Sequence, residues 1–505
     1  MEKLIKSFLL IVLTVFCSFA LTSCKSNVQE SYDPDLLRVF NCQDYINEGL
    51  DEDGNKIDKS VMELWEEDFE RRNPGRDVTI QYDTFETPEN MLNQIKTGKQ
   101  FDLVCPSDYV IQKMIREDML EKFDLDVIGK EGGYLDNVSP YLKKLFADNN
   151  WTEYAACYMW GTLGILYNSA KVDEEDVKHW KVMWDEKYKG DMSIKDSIRD
   201  TYFMGVMYVY QEELLEYRDK YNAGDISLEE YNNFITTLAN DPNKETLEKV
   251  EVALKELKNN IFGLEVDSGK SDIVEGKIDI NLAWSGDAVY AIWLTEEYIA
   301  NGELDENEVK LKYYVPDEGG NVWYDGWCMP KGANTELAQD FVNFLSQPEI
   351  AILNMDSVMY TSAVANDEIY DFIVDWYGSE DEENAIPIDL TYFFQDSETK
   401  EFSVSEDYIT DGKVIVYVDE VGGMFSTHYP SREVLDRCAI MKDFGDKNDD
   451  VLKLWISFKG NSVPSIIIWS IVGVVGSIAL TFYIIILINK IRKKNRRKNF
   501  KIGKR

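Results

Sequence analysis

Short apolar runs alternate with longer amphipathic stretches through the first third of the chain, and this alternation restricts the possible folds more than any other feature. The predicted strands are residues 37–41, 78–82 and 101–104, and the predicted helices are 60–73, 88–97 and 109–119. Strands that alternate with helices are typical of α/β proteins with a largely parallel sheet. The pattern therefore predicts an α/β fold.

The same rhythm returns later in the chain. A helix is expected from Tyr202, strands near 278–284 and 310–315, and a further helix at 334–346, whereas 192–199 is rich in turn formers. A chain of 505 residues exceeds the usual size of one domain. Two α/β lobes would enclose a cleft between them, where ligands usually bind.

Two stretches interrupt this rhythm. Residues 211–251 contain two charged helical segments on either side of Asp225, which predicts an inserted helical hairpin. Residues 375–411 are acidic and aromatic with few periodic signals, and no structure is predicted for them.

The first 23 residues have the features of an export signal. Lys3 and Lys6 precede an apolar stretch, and the tetrapeptide Leu21-Thr22-Ser23-Cys24 is similar to a bacterial lipobox. We expect Cys24 to be lipidated and to become the mature N-terminus, with a linker over 24–36. An ordinary cleaved signal peptide or an uncleaved anchor is the alternative.

The other end carries a second membrane signal. Residues 466–488 are 23 positions without a charge, enough to cross a hydrocarbon core of about 30 Å. The last sixteen residues hold ten cations and no acid, which places them on the cytoplasmic side. We therefore expect a transmembrane helix over 465–488, a cytoplasmic tail over 489–505, and an extracytoplasmic main part attached to the cell membrane.

Charge and composition exclude several classes of function. With 93 acidic against 53 basic residues the net charge is −40, so a nucleic-acid partner is not expected. Beyond Cys24, the exported cysteines are five and lack CxxC spacing, which favours buried free thiols over a zinc site. The sequence has two histidines and neither G-x-S-x-G nor H-E-x-x-H. We expect no catalytic residues, no metal and no cofactor.

Aromatic and carboxylate residues recur at turns that follow the predicted strands. Any one of these residues is more often structural, and only the whole set indicates a binding site. The set comprises the segments 40–45, 105–109, 196–200, 284–286, 323–325 and 360–361.

Together these segments resemble the bacterial spermidine/putrescine-binding proteins of ABC transporters, a family of two-lobed extracytoplasmic receptors. The matching strings are FDLVCPSDYVIQKMIREDMLEKFD, YMWGTLGILYN, INLAWSGDAV and EGGNVWYDGWCMPKGA, in order, within residues 37–361. The resemblance implies a two-lobed periplasmic-binding-protein-like fold of type II. It also implies a substrate-binding component that captures polyamines and delivers them to a permease driven by a cytoplasmic ATPase, with no enzymatic activity.

The resemblance further implies lobe boundaries and site residues. Lobe 1 would comprise 37–158 and 324–368, and lobe 2 would comprise 159–323 and 369–459, with chain crossings near 158–161 and 323–324. The implied ligand-binding residues are Tyr45, Ser107, Tyr109, Asp200, Trp284, Trp323, Asp325 and Tyr360, together with Asp196 or Ser197 as a second mid-chain position. The chain departs from the family pattern at Cys42 and Met441.

The residue types suit a polyamine on physical grounds. Ammonium groups need carboxylates such as Asp200 and Asp325, and the methylene chain between them needs aromatic faces. A receptor of the same fold for another small organic cation or a sugar is the main alternative. A glycoside hydrolase with paired carboxylates and a structural surface protein tethered at both ends are further alternatives.

Overall fold

The computed structural model describes residues 33–50, 54–379 and 384–460. The predicted signal peptide, Cys24, the helix expected at 465–488 and the basic tail lie outside these ranges. Within them, no helix combines the length and the apolar character needed to cross a bilayer.

The first unit is built on a three-stranded parallel sheet of order β2-β1-β3. Its central strand is almost wholly buried, and Ser60 begins the first helix with a reciprocal capping box to Glu63. The strands are β1 (Leu36–Cys42), β2 (Thr79–Phe85) and β3 (Leu103–Val104), and the helices are α1 (Val61–Arg72), α2 (Pro88–Lys96), α3 (Asp108–Arg116), α4 (Leu125–Ile128), α5 (Tyr134–Asn137) and α6 (Pro140–Asp148).

A long buried strand, β4 (Ala156–Asn168), then leads into the second unit. That unit contains α7 (Glu174–Val177), β5 (Met192–Lys195), α8 (Ile198–Val209), α9 (Gln211–Asn222), α10 (Leu228–Ala239), α11 (Lys244–Leu257), β6 (Gly263–Glu265), α12 (Gly269–Val274), β7 (Ile280–Trp284), α13 (Ser285–Ala300), β8 (Leu311–Tyr314) and β9 (Gly320–Trp327). Short 3₁₀ turns lie at Trp180–Trp184 and Glu186–Tyr188.

The remaining elements return to both units. They are α14 (Thr335–Leu345), α15 (Pro348–Val358), β10 (Thr361–Ser362), α16 (Asp367–Tyr377), β11 (Ile386–Asp389), α17 (Thr391–Phe394), β12 (Ile415–Val418), α18 (Met424–His428), α19 (Arg432–Asp436), β13 (Cys438–Ala439) and α20 (Asn448–Lys459), with 3₁₀ turns at Glu406–Tyr408 and Gly445–Lys447.

Strands β4 and β9 belong to both units. They pair antiparallel from Ala156–Trp327 to Leu163–Asn321. The early part of β4 also pairs with β10, and its later part pairs with β7 and β8. Because the two strands run through both units, small changes in their backbone angles can move one unit relative to the other.

The larger sheet has the order β13-β9-β4-β7-β5-β6 and is mixed. β5 lies parallel to β6 and β7, whereas β4 is antiparallel to β7, β8, β9 and β10. The prediction of a largely parallel sheet is therefore right for the first sheet and wrong for this one. The reason is β4, which passes from one unit to the other and runs antiparallel to each strand that it pairs with.

Two local predictions have different outcomes. The helical hairpin predicted at 211–251 is confirmed by α9 and α10, and a capping box between Ser227 and Glu230 begins α10. The turn-rich reading of 192–199 is wrong, because Met192–Lys195 forms the fully buried strand β5 and α8 follows at once.

The stretch 384–428 packs against both units beside the crossing strands. The Phe393 ring stacks on Trp160 of β4 with centroids 5.7 Å apart, and the Ser139 hydroxyl donates to the Phe393 carbonyl at 2.5 Å. From the other side, the Tyr313 amide of β8 donates to the Gly422 carbonyl at 2.9 Å. The acidic and aromatic stretch 375–411 thus overlaps a longer segment, 384–428, that contacts both units.

Candidate ligand-binding cleft

Asp325 lies on β9, at the point where the strand passes between the units. The Tyr45 hydroxyl donates to its Oδ2 at 2.8 Å, while Oδ1 is buried without a hydrogen-bond partner among the described residues. Burial raises the pKa of Asp325 to about 6, against hydrogen bonds from Ser107 and Tyr45 that lower it. An unpartnered carboxylate oxygen of this kind has room for one further donor.

Aromatic rings surround this carboxyl group. The Tyr360 centroid lies 5.1 Å from that of Tyr45 and 5.7 Å from that of Trp323. The indole N–H of Trp323 is buried and has no partner within the described chain. Of the predicted residues, the structure thus brings Tyr45, Trp323, Asp325 and Tyr360 together, and the backbone of Ser107 forms an isolated antiparallel bridge with that of Asp325.

Two glycines allow these rings to approach the backbone. A Cβ on Gly161 of β4 would lie 2.7 Å from the Trp323 ring. A Cβ on Gly286, in the first turn of α13, would lie 2.3 Å from the Tyr360 ring. Real Cβ atoms do not approach aromatic carbons so closely, so the ring positions depend on glycine at both sites.

The second unit contributes Asp200 and Trp284. Asp200 lies in the first turn of α8, where Ser197 is the N-cap and accepts from the Asp200 amide at 3.4 Å. Burial raises the pKa of Asp200, although hydrogen bonds from the Ser197 and Trp284 side chains and the nearby Lys195 charge oppose the rise. The charge of Asp200 also raises the pKa of Asp325, because the two carboxylates are close enough to repel each other.

A buried ion cluster, formed by Lys195, Glu265 and Asp287, adjoins Trp284. The Lys195 ammonium lies 2.6 Å from Asp287 Oδ2, 3.0 Å from Glu265 Oε1 and 4.4 Å from the Trp284 ring centroid. Burial opposes the lysine's charge, yet Asp287 and Glu265 outweigh it and hold the pKa of Lys195 above its ordinary value. The pKa of Asp287 is correspondingly lowered, against the effect of its own burial, chiefly by Lys195.

Sequence reasoning missed this cluster. Asp287 lies three residues after Trp284, so helical spacing from a predicted site residue is the signal that pointed to it. Lys195 immediately precedes the mid-chain motif and ends a strand that was read as a turn. Asp108 was also missed. It is buried between Ser107 and Tyr109, and burial followed by repulsion from Asp325 raises its pKa.

Tyr109 lies at the boundary with the second unit. Its hydroxyl donates to Glu89 Oε1 at 3.0 Å, and the Arg199 guanidinium lies 5.2 Å from its ring centroid. The same guanidinium lies 3.7 Å from the Phe444 ring centroid, and its Nε and Nη1 are buried without a partner among the described residues. The Tyr109 ring is therefore already in contact with a cation of the protein, Arg199.

Asp196 does not join the other predicted site residues. Both of its carboxylate oxygens accept from Lys459 at the end of α20, at 2.6 and 2.7 Å. Of the two mid-chain alternatives, Ser197 is the one that contacts Asp200. The expectation that Asp196 lines the cleft is therefore not met by the geometry, because its side chain is held by Lys459 on the exterior.

The two departures from the family pattern lie near the cleft. Cys42 is half-buried, and burial together with Asp325 raises the pKa of its thiol to about 12, so the thiol stays protonated at neutral pH. The Met441 carbonyl accepts from the Gln112 side chain at 2.9 Å, and Arg116 pairs with Asp443 at 2.7 Å. These contacts join α3 of the first unit to the segment after β13.

The cysteines within the described ranges form no disulfide. Cys105, Cys157, Cys328 and Cys438 are buried, and Cys42 is half-buried. The prediction of free thiols is confirmed. No group of three or more histidine, cysteine or acidic side chains placed to hold a metal ion occurs in the part of the chain that the structure describes.

Comparison with known proteins identifies the family. The model of the bacterial extracellular solute-binding proteins matches residues 65–371, more than half of the chain. The chain belongs to this family. Its members bind solutes and are not enzymes, and the predicted two-lobed receptor fold agrees with this assignment.

Individual relatives and solved structures are also similar to this chain. This solute-binding protein is 26% identical over 323 residues to the spermidine/putrescine-binding periplasmic protein of Salmonella typhimurium, which covers 63% of the chain and 75% of that relative. Among solved structures, it is similar to the spermidine/putrescine ABC transporter substrate-binding protein PotD of Streptococcus pneumoniae (TM-score 0.51, 22% identity, 84% of this chain and 100% of that one). The TpPotD lipoprotein of Treponema pallidum is also similar (TM-score 0.56, 17% identity, 84% and 99%). The structural likeness establishes the periplasmic-binding-protein-like α/β fold.

Proposed function

We propose that this protein is the substrate-binding component of an ABC importer and captures a polyamine such as putrescine or spermidine. The names of its relatives support this function, and so does the sequence resemblance. The observation that carries the proposal is the setting of Asp325, whose buried Oδ1 lacks a partner among the described residues and whose neighbours are Tyr45, Trp323 and Tyr360.

This setting suits a primary ammonium group. The carboxylate supplies a charge-assisted hydrogen bond, which contributes about 1.5–3 kcal/mol. The surrounding rings offer electron-rich faces to the cation and apolar faces to the adjoining methylene groups, and each cation–π contact adds about 0.5–2 kcal/mol. A neutral sugar would leave the Asp325 charge without a counter-ion in a buried place.

A second acid on the other unit extends the site. Asp200, whose amide donates to the N-cap Ser197, would receive the second ammonium group. Around the cleft the acids are the buried Asp200, Glu265 and Asp287 and the half-buried Asp325, against the buried cations Lys195 and Arg199. The excess of acid attracts a ligand with two or more positive charges.

Ligand binding would favour the closed arrangement of the two units. One ammonium bound to Asp325 and the other to Asp200 would link a residue of β9 to a residue of α8, and only the closed form satisfies both. We assign residues 37–158 and 324–368 to lobe 1 and 159–323 and 369–459 to lobe 2, with β4 and β9 as the crossings. The closed form would then dock on the permease, whose ATPase drives import.

The ligand contacts assigned by this proposal are those of Tyr45, Trp284, Trp323, Asp325 and Tyr360, with Ser107 and Asp200 as hydrogen-bonding groups and Tyr109 at the boundary between the lobes. Ser107 lies beside Asp325 through a backbone bridge, and Tyr109 borders the opposite lobe through Arg199. Asp196 is left out because Lys459 holds its carboxylate.

Two membrane attachments complete the proposal. Cys24 would carry the lipid of an exported lipoprotein, and residues 465–488 would span the membrane with the tail 489–505 in the cytoplasm. The charge-free stretch and the ten following cations support the span. Protease treatment of intact cells should remove the main part and spare a tag placed after Arg505. Loss of that tag would contradict the topology.

A thermal-shift panel tests the binding function. The full-length chain, purified in detergent, is melted with putrescine, spermidine, n-butylammonium, glucose and maltose. The proposal expects the melting temperature to rise with at least one polyamine and to stay constant with the sugars. A rise with sugars alone would favour the alternative receptor, and equal rises with n-butylammonium and the polyamines would favour a receptor for single-charge cations.

A further inference from the structure

Lys195 places an ammonium group of the protein itself in the kind of setting proposed for a ligand. Its side chain is fully buried, and its Nζ donates to Asp287 at 2.6 Å and to the Val266 carbonyl at 3.2 Å, with Glu265 at 3.0 Å. These three acceptors use all three donors of the ammonium. The Trp284 ring centroid lies 4.4 Å away. A carboxylate next to an indole face is the environment in which an amine ligand binds.

A continuous series of contacts connects this ammonium to the ligand acid on the other lobe. The second oxygen of Asp287 accepts from the Tyr360 hydroxyl at 2.7 Å, and the Tyr360 ring contacts Tyr45, which donates to Asp325. The backbone of Lys195 is held in place as well, because its carbonyl accepts from the Thr201 hydroxyl in the first turn of α8 at 3.1 Å. The Asp287 end of the cleft thus already contains a bound cation.

From this arrangement, and resting on the proposed function, we propose that Lys195 determines specificity. The residue is a built-in ammonium that fills one amine position, at Asp287, Glu265 and Trp284, and limits the ligand to a short diamine that spans Asp325 and Asp200. A third ammonium, as in spermidine, would approach Lys195 where no carboxylate is left to neutralise it. Like charges at such a place lower affinity and exclude the longer amine.

Lys195→Met tests this role, because methionine keeps much of the side-chain volume and removes the charge. Calorimetric titration of the full-length chain in detergent gives the ratio of the dissociation constants for putrescine and spermidine. The wild type should bind putrescine at least as tightly as spermidine, and the variant should shift the ratio toward spermidine by at least tenfold. The control is Lys171→Met, which removes a surface cation paired with Asp279 at 2.9 Å and should leave the ratio unchanged.

Two results would overturn the inference about Lys195. One is a wild type that binds spermidine tenfold more tightly than putrescine, which needs no variant at all. The other is a Lys195→Met protein whose ratio stays within twofold of the wild type.

A second measurement separates this inference from the proposed function. Lys195→Ala opens a cavity beside Asp287, and millimolar n-butylammonium should raise the melting temperature of this variant, or its refolding yield, and leave the wild type unchanged. Rescue by the amine in a protein that binds no polyamine would uphold the built-in ammonium and contradict the proposed function. Polyamine binding without rescue, and with an unchanged ratio, would contradict the inference about Lys195 alone.

Discussion

The Tyr360 hydroxyl donates a 2.7 Å hydrogen bond to Oδ1 of Asp287. Tyr360 immediately precedes β10, which pairs with the early part of β4, while Asp287 lies in α13 of the second unit. This bond joins the aromatic surroundings of Asp325 to the buried cluster around Lys195. It adds one phenol to the contacts that set the relative position of the two units.

Tyr360→Phe should therefore weaken polyamine binding and lower the free energy of unfolding by similar amounts. The change removes the bond to Asp287 and keeps the ring that packs on Tyr45 and Trp323, so we expect a loss of about 0.5–1.5 kcal/mol in each quantity. Tyr408→Phe is the control, because it removes a comparable bond to Asp371 at 2.9 Å on the exterior. Equal binding by wild type and Tyr360→Phe would show that this phenol does not position the site.

Gly286→Ala should disturb the site without removing any polar group. The new Cβ would lie 2.3 Å from the Tyr360 ring and displace it. We expect at least tenfold weaker binding, about 1.4 kcal/mol, measured by calorimetry. Gly263→Ala is the control, because no heavy atom lies within 4 Å of a Cβ at that position. Gly276→Ser would not serve, because Gly276 has a positive φ of 71°. Unchanged binding by Gly286→Ala would contradict the ring's place in the cleft.

Binding should weaken in acid because the pKa of Asp325 is raised to about 6, chiefly by burial. A ligand ammonium needs the ionised carboxylate, so affinity should fall as the pH drops through 6, by about tenfold for each unit below it. Burial raises the pKa of Asp200 as well, which acts in the same direction. Dissociation constants for putrescine at pH 8, 7, 6 and 5 measure the effect, and a constant affinity down to pH 5 would contradict it.

The same pKa has the opposite consequence for the ligand-free protein. Between the ordinary value of 3.8 and about 6, the folded state binds more protons at Asp325 than the unfolded state does. The contribution of Asp325 to the free energy of unfolding therefore falls as the pH rises through this window. The stability gained by Asp325→Asn relative to the wild type should be larger at pH 7 than at pH 4.

Phe393→Ala tests whether the stretch 384–428 supports the crossing strands. Phe393 is fully buried and stacks on Trp160 of β4, so its loss should lower the free energy of unfolding by about 3–5 kcal/mol. Trp376→Ala is the matched aromatic control, because that side chain is 41% exposed. Denaturant unfolding provides the measurement. A loss below about 1 kcal/mol would show that the crossing strands do not depend on this packing.

Local pattern was sufficient for the three strands and the first three helices of the first unit, and it gave no prediction for α4, α5 and α6. Val61–Arg72 and Pro88–Lys96 lie within one residue of their predicted limits, because a capping serine and an N-terminal proline mark where each helix begins. Strand β5 was missed because it has only four residues, and its apolar–polar alternation gave no sign that all four are buried. The direction of β4 depends on pairing with distant strands, which periodicity does not record.

Only some residues of the candidate cleft could be predicted, because contacts between residues far apart in the chain leave no periodic pattern in the sequence. A family resemblance grouped Tyr45, Trp323, Asp325 and Tyr360, and the structure brings these four together. Asp196 lies apart from them, paired with Lys459, which is 263 positions away in the sequence. A buried lysine resembles a surface lysine in a sequence, so Lys195 gave no signal of its own.

Asp325 is proposed to bind an ammonium group of a polyamine. The most direct test is calorimetric titration of the full-length wild type and Asp325→Asn with putrescine, with Asp196→Asn as a control of equal charge. We expect the Asp325 variant to bind at least tenfold more weakly, about 1.4 kcal/mol, and the Asp196 variant to bind like the wild type. Equal affinity of Asp325→Asn and wild type, or no heat from the wild type with any polyamine, would contradict the account.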